Sequence, residues 1–182
     1  SVFGAVLIEI EQGLMVGWQV GVKRAIDLFA SGIMLILLGP LYLFIILRVR
    51  LSSPGPIFFT QKRIGLNGKP FLIYKFRSMY VDAEIKGPQL SHDNDPRCTP
   101  WGAKMRKWRF DELPQFWNVL KGDMSLVGPR PERQYFIDQI MARAPHYKHL
   151  LKVRPGITSW GQVKYGYASN IEEMLQRLKF DI

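Results

Sequence analysis

Apolar and polar positions segregate sharply along this 182-residue chain. From Ile26 to Leu47 the only charged residue is Asp27. Such a run reaches the ~20 apolar residues that a membrane helix needs. Gly39-Pro40 interrupts it. Pro40 has no N–H to give to the Ile36 carbonyl, so the run is predicted as two helical pieces of about 13 and 7 to 11 residues, roughly 20 Å and 10 to 17 Å long. Neither piece alone crosses a hydrocarbon core of about 30 Å. Lys23 and Arg24 precede the run, and Arg48 and Arg50 follow it. If cations keep to one side of a bilayer, both ends belong on the same side. The pattern favours a re-entrant helix-break-helix that dips into one leaflet. A kinked spanning helix and a buried core helix of a soluble domain stay open as alternatives.

Beyond the breaker cluster Ser52-Ser53-Pro54-Gly55-Pro56, the segments Ile57–Ile64 and Phe71–Met79 flank Gly65-Leu66-Asn67-Gly68. They predict a β-hairpin with an Asn-Gly turn. The two-residue period of a strand puts Lys75 and Arg77 on one face, as solvated cations or as an anion-facing pair; the lack of acidic partners favours the second. Residues 82–104 are polar and turn-rich and predict mainly loop. Asp93 and Asp95 there are too loosely spaced to argue for a cation site. Leu113, Phe116, Trp117 and Leu120 recur at helical spacing, with Asp111 as expected N-cap, Pro114 in the first turn and Gly122 as stop. Further helices are predicted from after Pro131 to about Ala144, over His146–Lys152 and over Ile171–Lys179. Pro155–Gly166 reads as irregular, and Val6–Glu11 as a possible strand.

Charge sharpens this picture. The chain carries 25 Lys+Arg against 15 Asp+Glu, a net charge of +10, and one cysteine. That excludes an intramolecular disulfide framework and a Cys-rich zinc site. No secretory signal is visible in the first 22 residues. No acid occurs from Leu28 to Val81, while seven Lys/Arg fall between Arg48 and Arg77. An apolar block followed by a basic block points to a membrane surface or a polyanionic ligand.

The few acids then matter. Asp111-Glu112 is an adjacent carboxylate pair at an expected helix start, where the helix dipole favours ionisation. Such a pair can act as nucleophile or as hard-oxygen ligand for Mg²⁺, which takes one or two carboxylates plus substrate phosphates. It can equally be a cap and a first-turn acid. Arg130, held between Pro129 and Pro131, suits either a ligand-positioning arginine or a structural turn. His146 and His149 lack a third ligand and read as structural.

Several words, taken in order, are specific. They are Lys23-Arg24-x-x-Asp27, Ser53-Pro54-Gly55-Pro56-Ile57-Phe58-Phe59, Gln61-Lys62-Arg63-Ile64-Gly65, Tyr74-Lys75-Phe76-Arg77-Ser78-Met79, Asp95-Pro96-Arg97, Asp111-Glu112-Leu113-Pro114-Gln115, the run Asn118 to Glu132, and Arg154-Pro155-Gly156-Ile157-Thr158. The chain from about Lys23 onward resembles the bacterial sugar transferases, the monotopic polyprenyl-phosphate phosphoglycosyl transferases. The resemblance implies an α+β monotopic membrane enzyme with a re-entrant helix broken near Gly39-Pro40, a small β-hairpin and several surrounding amphipathic helices. The expected parts are a junction segment (1–22), the membrane helix (23–51) and a catalytic domain at the cytoplasmic face of the bacterial inner membrane (52–182). The chain itself is expected to be a fragment of a longer protein.

The same resemblance implies transfer of a sugar 1-phosphate from a UDP-sugar to polyprenyl (undecaprenyl) phosphate, with UMP released, as the first membrane step of surface glycan assembly. Asp111 would be the nucleophile that carries the phosphosugar, and Glu112 would assist with Mg²⁺ or as acid/base. Arg106, Arg130, Lys75 and Arg77 would bind substrate phosphates. The expected partners are the UDP-sugar, polyprenyl phosphate and membrane lipid, not nucleic acid, and a homodimer is left open. A non-catalytic membrane scaffold with the same fold is the competing class. The chain departs from the family pattern at Ser159-Trp160-Gly161-Gln162-Val163-Lys164-Tyr165-Gly166 and has Gly39 where some members have Ser before the proline.

Overall fold

The computed structural model describes residues 17–85, 87–92, 95–166 and 168–181. The possible strand at Val6–Glu11 and Asp93 lie outside them.

Helices α1 (Gly17–Leu37) and α2 (Gly39–Ser52) are bent by 63° at Leu38. Pro40 lies in the first turn of α2, where its missing N–H leaves no helical bond unmade. Among the described residues no single helix is long and apolar enough to cross a membrane, although the bent pair has the length and composition together. α1 already covers residues 17–25, ahead of the Ile26 that hydropathy predicts. The reason is that Lys23, Arg24 and Asp27 are docking groups carried on the helix. The Arg24 guanidinium donates to the carbonyls of Val119 (2.8 Å), Leu120 (3.2 Å) and Met124 (3.5 Å). The first two belong to the last turn of α4 (Gln115–Lys121), the negative end of its dipole. Asp27, 4% exposed, accepts from the Leu126 N–H at 3.1 Å and pairs with Lys23 at 3.3 Å.

The far end of the helix pair returns to the same body. Ile45 and Val49 of α2 are fully packed with Phe76 and Met105, and the Tyr42 hydroxyl donates to the Leu113 carbonyl at 2.7 Å. Arg77 donates to the carbonyls of Ser53 (2.5 Å) and Pro54 (2.9 Å) just past α2. Between these anchored ends Phe29, Ile36, Leu37 and Leu43 are exposed.

Strands β1 (Phe58–Ile64) and β2 (Pro70–Phe76) pair antiparallel, from Phe58 opposite Phe76 to Ile64 opposite Pro70. Asn67 and Gly68 turn the chain at φ 55° and 71°, as the Asn-Gly signal predicts. A two-stranded hairpin is marginal alone. Its open edge is closed by one side chain. Asn118 Oδ1 accepts from the Tyr74 N–H at 3.0 Å, and its Nδ2 donates to the Leu72 carbonyl at 2.7 Å. A carboxamide thus takes the place of a third strand and fixes α4 against β2.

The region expected to be loop to residue 104 ends sooner. Thr99 caps α3 (Pro100–Lys107) by accepting from the Gly102 N–H at 2.9 Å, with Pro100 in the first turn. Asp95 is buried and paired with Arg97 at 2.5 Å, so it is already neutralised. Strand β3 (Ser125–Val127) pairs in parallel with β4 (Gly156–Thr158), inside the stretch read as irregular. Three-residue strands leave no alternation to detect. Their glycines set the contact: a Cβ on Gly128 would stand 2.3 Å from the Arg154 carbonyl oxygen, and one on Gly156 would stand 2.2 Å from Gly128 N. α5 (Gln134–Arg143), a 3-10 segment (Pro145–Lys152), α6 (Trp160–Tyr165) and α7 (Ile171–Asp181) complete the α+β fold. α5 and α7 share a core of Ile137, Ile140, Met174 and Leu178.

Asn118→Ala leaves the Leu72 carbonyl and Tyr74 N–H without their partner. It is expected to cost about 2–4 kcal/mol, two unsatisfied backbone groups at roughly 1–3 kcal/mol each less some rehydration. Thermal unfolding in detergent, followed by fluorescence, checks this. A melting point equal to the parent's would refute the clamp.

Candidate active site

Phe110–Glu112 forms one 3-10 turn. It is launched by Arg109, which adopts φ 59°, ψ 22°, a left-handed conformation that costs a non-glycine residue about 1–2 kcal/mol. Such strain concentrates at functional sites. The turn buries both acids, leaving Asp111 at 7% and Glu112 at 4% exposure. Asp111 does not cap a helix: α4 begins at Gln115 behind Pro114, without any side-chain cap. The chain needs the extra turn to bring the acids inward before the helix starts, so the dipole argument for their ionisation does not apply.

Their actual surroundings separate them. Burial pushes the Asp111 carboxyl above the usual carboxylate range, against the pull of Lys75 and with the Glu112 charge adding to the rise. Burial acts on Glu112 in the same sense. There Lys75, then Arg130 and Arg109, outweigh it and hold the carboxyl far below the usual range. Lys75 Nζ donates to Glu112 Oε1 at 2.8 Å, and Arg130 Nη2 donates to the same oxygen at 3.3 Å. Glu112 Oε2 is buried without a hydrogen-bond partner; Arg109 Nη1 lies 3.9 Å away. The pair is thus one fixed anion and one carboxyl that holds its proton more tightly, the separation typical of two acids with different tasks.

A cavity of about 250 Å³ opens onto this pair. Lys75, Arg77, Arg106, Asp111, Glu112 and Arg130 all line it, although they come from β2, the residue after it, α3, the 3-10 turn and the loop after β3. Arg106 donates to Cys98 Sγ at 3.5 Å. Arg130 is fixed at its other nitrogen by Gln162 Oε1 at 3.2 Å. The Arg77 guanidinium is engaged by the two carbonyls behind α2, so it braces the cavity wall. Pro40 lies elsewhere, at the helix break. Arg109 and Gln162 were not singled out by sequence. Arg109's role rests on a backbone angle and Gln162's on a contact 32 positions away in the chain, neither of which composition or spacing reveals. Among the described residues no group of three His, Cys, Asp or Glu side chains gathers to hold a metal.

The geometry is a buried, separated carboxylate pair ringed by lysine and arginines in an open cavity, an arrangement suited to anionic groups. The chain belongs to the bacterial sugar transferase family, whose model matches residues 18–182. It is 46% identical over 160 residues to a UDP-N-acetylgalactosamine-undecaprenyl-phosphate N-acetylgalactosaminephosphotransferase of Aeromonas hydrophila, covering 88% of this chain and 38% of the relative. It is 43% identical to a UDP-glucose:undecaprenyl-phosphate glucose-1-phosphate transferase of Escherichia coli K12, with 88% and 35% covered. A protein of the same name from Caulobacter vibrioides is 41% identical, with 88% and 61% covered. The chain therefore spans only part of the length of these relatives.

The separated carboxyls predict opposite effects on stability. A raised Asp111 pKa means that the folded state binds this proton more tightly than the unfolded chain does. Stability is therefore lost as pH rises through the raised value. Asp111→Asn removes that penalty and is expected to raise the melting temperature at pH 8, with the gain shrinking at acid pH. Glu112 contributes stability above the usual carboxylate pKa. Glu112→Gln is expected to cost roughly 1.5–3 kcal/mol at neutral pH, the range for hydrogen bonds to a charged group. Melting curves of both variants across pH check the signs; two shifts in the same direction would contradict the assignment.

Proposed function

We propose that the protein transfers a sugar 1-phosphate from a UDP-sugar to polyprenyl phosphate, releasing UMP, at the cytoplasmic face of a bacterial inner membrane. The observation that carries this reading is the buried Asp111 beside an anchored Glu112, in a cavity whose wall supplies Lys75, Arg106 and Arg130. The reactions printed in the names of the relatives support it. In the first step an Asp111 carboxylate oxygen attacks the β-phosphorus of the UDP-sugar. The new O–P bond forms as the bond from that phosphorus to the bridging oxygen breaks, and the electron pair leaves with UMP. In the second step a phosphate oxygen of polyprenyl phosphate attacks the same phosphorus. The carboxylate leaves with its electron pair, giving polyprenyl diphosphate-sugar and restoring Asp111. A covalent intermediate divides one difficult transfer into two.

The desolvation that raises the Asp111 pKa also leaves its ionised oxygen poorly solvated, which suits a nucleophile. Lys75, Arg106 and Arg130 offset phosphate charge as it is redistributed. Glu112 acts by holding Lys75 and Arg130 in place. Asp111 and Glu112 would hold Mg²⁺, a cation that takes one or two carboxylates and completes its shell with phosphate and water. The buried, unpartnered Glu112 Oε2 fits this donor set. When bound, Mg²⁺ would supply positive charge to the diphosphate oxygens.

The helix pair is the proposed membrane anchor, re-entrant from one side. The anchoring of both its ends to one body supports this: Arg24 on α4 and Asp27 on β3 at the start, Arg77 on the Ser53 and Pro54 carbonyls at the close. From Arg24 to the bend the rise is about 20 Å, short of a ~30 Å core.

With a UDP-sugar, polyprenyl phosphate and Mg²⁺, UMP release is expected to fall at least about 10³-fold in Asp111→Ala, which removes the attacking atom. Near-normal turnover in that variant would overturn the nucleophile assignment. The activity of the parent is expected to rise with pH along an acid limb lying above the usual aspartate range, as Asp111 ionises. For the anchor, cysteines placed near Lys23 and near Ser52 should react with an impermeant reagent from the same side of the membrane, and opposite sides would refute re-entry.

A further inference from the structure

The cavity has a second polar wall that the proposed chemistry does not use. Along β1, Phe59 stands opposite Lys75, the lysine bonded to Glu112. Gln61, on the same face two residues further, lies about 6–7 Å beyond. There it meets Glu84, from the turn-rich segment that follows β2, and Arg133. Arg133 Nη1 donates to Glu84 Oε1 at 2.8 Å. Gln61 Nε2 stands 3.4 Å from each Glu84 oxygen, longer than the 2.7–3.2 Å of ordinary N–H···O bonds.

A second glutamate on this wall shows the contrast. Glu132 is 6% exposed at its side chain and fully engaged, by Arg63 at 3.2 Å and by Arg177 at 2.6 Å. The Glu84 side chain is 35% exposed. Glu132 is architecture, whereas Glu84 keeps acceptor capacity facing the open cavity. Phe136 and Met174 line the cavity beside this wall.

We infer that Glu84, with Gln61 and Arg133, is the subsite for vicinal hydroxyl groups of a sugar ring in the donor nucleotide. This rests on the function proposed above and deepens it. A carboxylate backed by an arginine accepts two neighbouring O–H groups, the adjacent carboxamide, whose Oε1 already accepts from Arg63 Nη2 at 2.8 Å, donates through Nε2, and the apolar side chains pack against a ring face. Hydroxyls at ~2.7 Å would replace the two long Gln61 contacts with good ones. A phosphate is the wrong ligand here, because the Glu84 charge repels it. The ring is either the transferred hexose, carried directly on the reacting phosphate, or the ribose, one phosphate further away.

The test is ligand titration of the whole chain in detergent with Mg²⁺, in an Asp111→Asn background that cannot turn over, using UDP-glucose, UDP-N-acetylgalactosamine, UDP and inorganic pyrophosphate. Glu84→Ala is expected to weaken the UDP-sugars about tenfold or more. Pyrophosphate, which has no ring, should bind unchanged or tighter, since a negative charge has left the cavity. Glu84→Gln, which can still accept from Arg133, should lose less. A loss shared by UDP assigns the ribose, and a loss confined to the UDP-sugars assigns the hexose; either upholds the subsite. Unchanged UDP-sugar affinity in both variants, or an equal loss for pyrophosphate, overturns it. With Asp111 intact, normal UMP release and unchanged KM in Glu84→Ala would sink the subsite alone. A parent chain that neither binds nor cleaves any UDP-sugar would sink the function as well.

Discussion

The carboxamide of Asn118 sets the register on which the rest of the site depends. β2 delivers Lys75, and the turn before α4 delivers Asp111 and Glu112. These pieces are joined by no sheet. Asn118 locks them by bonding the Tyr74 N–H and the Leu72 carbonyl on the open edge of β2. The same short helix receives Arg24 of α1 at its C-terminal carbonyls, so hairpin, acidic turn and helix pair are all referenced to α4. With a Lys75–Glu112 bond of 2.8 Å, a slip of one residue in β2 would turn the lysine to the opposite face and leave a buried carboxylate unpaired.

That geometry explains how two neighbouring acids in one turn differ. Three cations converge on Glu112, while burial governs Asp111. Lys75 and Arg130 share one oxygen of Glu112, and Arg130 is held from behind by Gln162. The charge of Glu112 therefore stabilises the cationic frame. That frame is bonded to Glu112 and Gln162 rather than to Asp111, as the proposed nucleophilic role of Asp111 asks.

Legibility in the sequence followed the range of the interactions. The helix break, the hairpin, its Asn-Gly turn and helices α5 and α7 were readable because they depend on residues within a few positions of each other, whereas α6 falls inside the stretch read as irregular and the helix expected over His146–Lys152 is a 3-10 segment. The six cavity residues from Lys75 to Arg130 were named from motif words, and the structure brings them to one cavity. What spacing could not give depends on long-range contacts. The place of Lys23, Arg24 and Asp27 on α1 is set by docking onto α4 and β3, the β3–β4 pair by two glycines far apart in sequence, and the bend at Arg109 by a strained backbone angle. Hydropathy read Lys23 and Arg24 as flanking charges, whereas Arg24 is a capping group for another helix. The departures after Arg154-Pro155-Gly156-Ile157-Thr158 also acquire a location. Val163, Lys164 and Tyr165 are on the exposed side of α6, while Gln162 is buried on Arg130.

The proposed reaction asks one cavity to serve a water-soluble nucleotide and a membrane-bound lipid in turn, and the cavity wall is graded accordingly. Phe59, Gln61 and Arg63 share one face of β1 and line the cavity in that order. The apolar end, with Pro56 and Phe58, adjoins the close of α2, where Arg77 is fixed to the Ser53 and Pro54 carbonyls. The charged end, with Glu84 and Arg133, lies toward α5 and α7. Asp111 and Glu112 sit beside Lys75, opposite Phe59 in the hairpin. A phosphoryl group held at Asp111 can then be delivered from the polar end and collected at the apolar end without moving. A ping-pong transfer between two phases requires this of its intermediate.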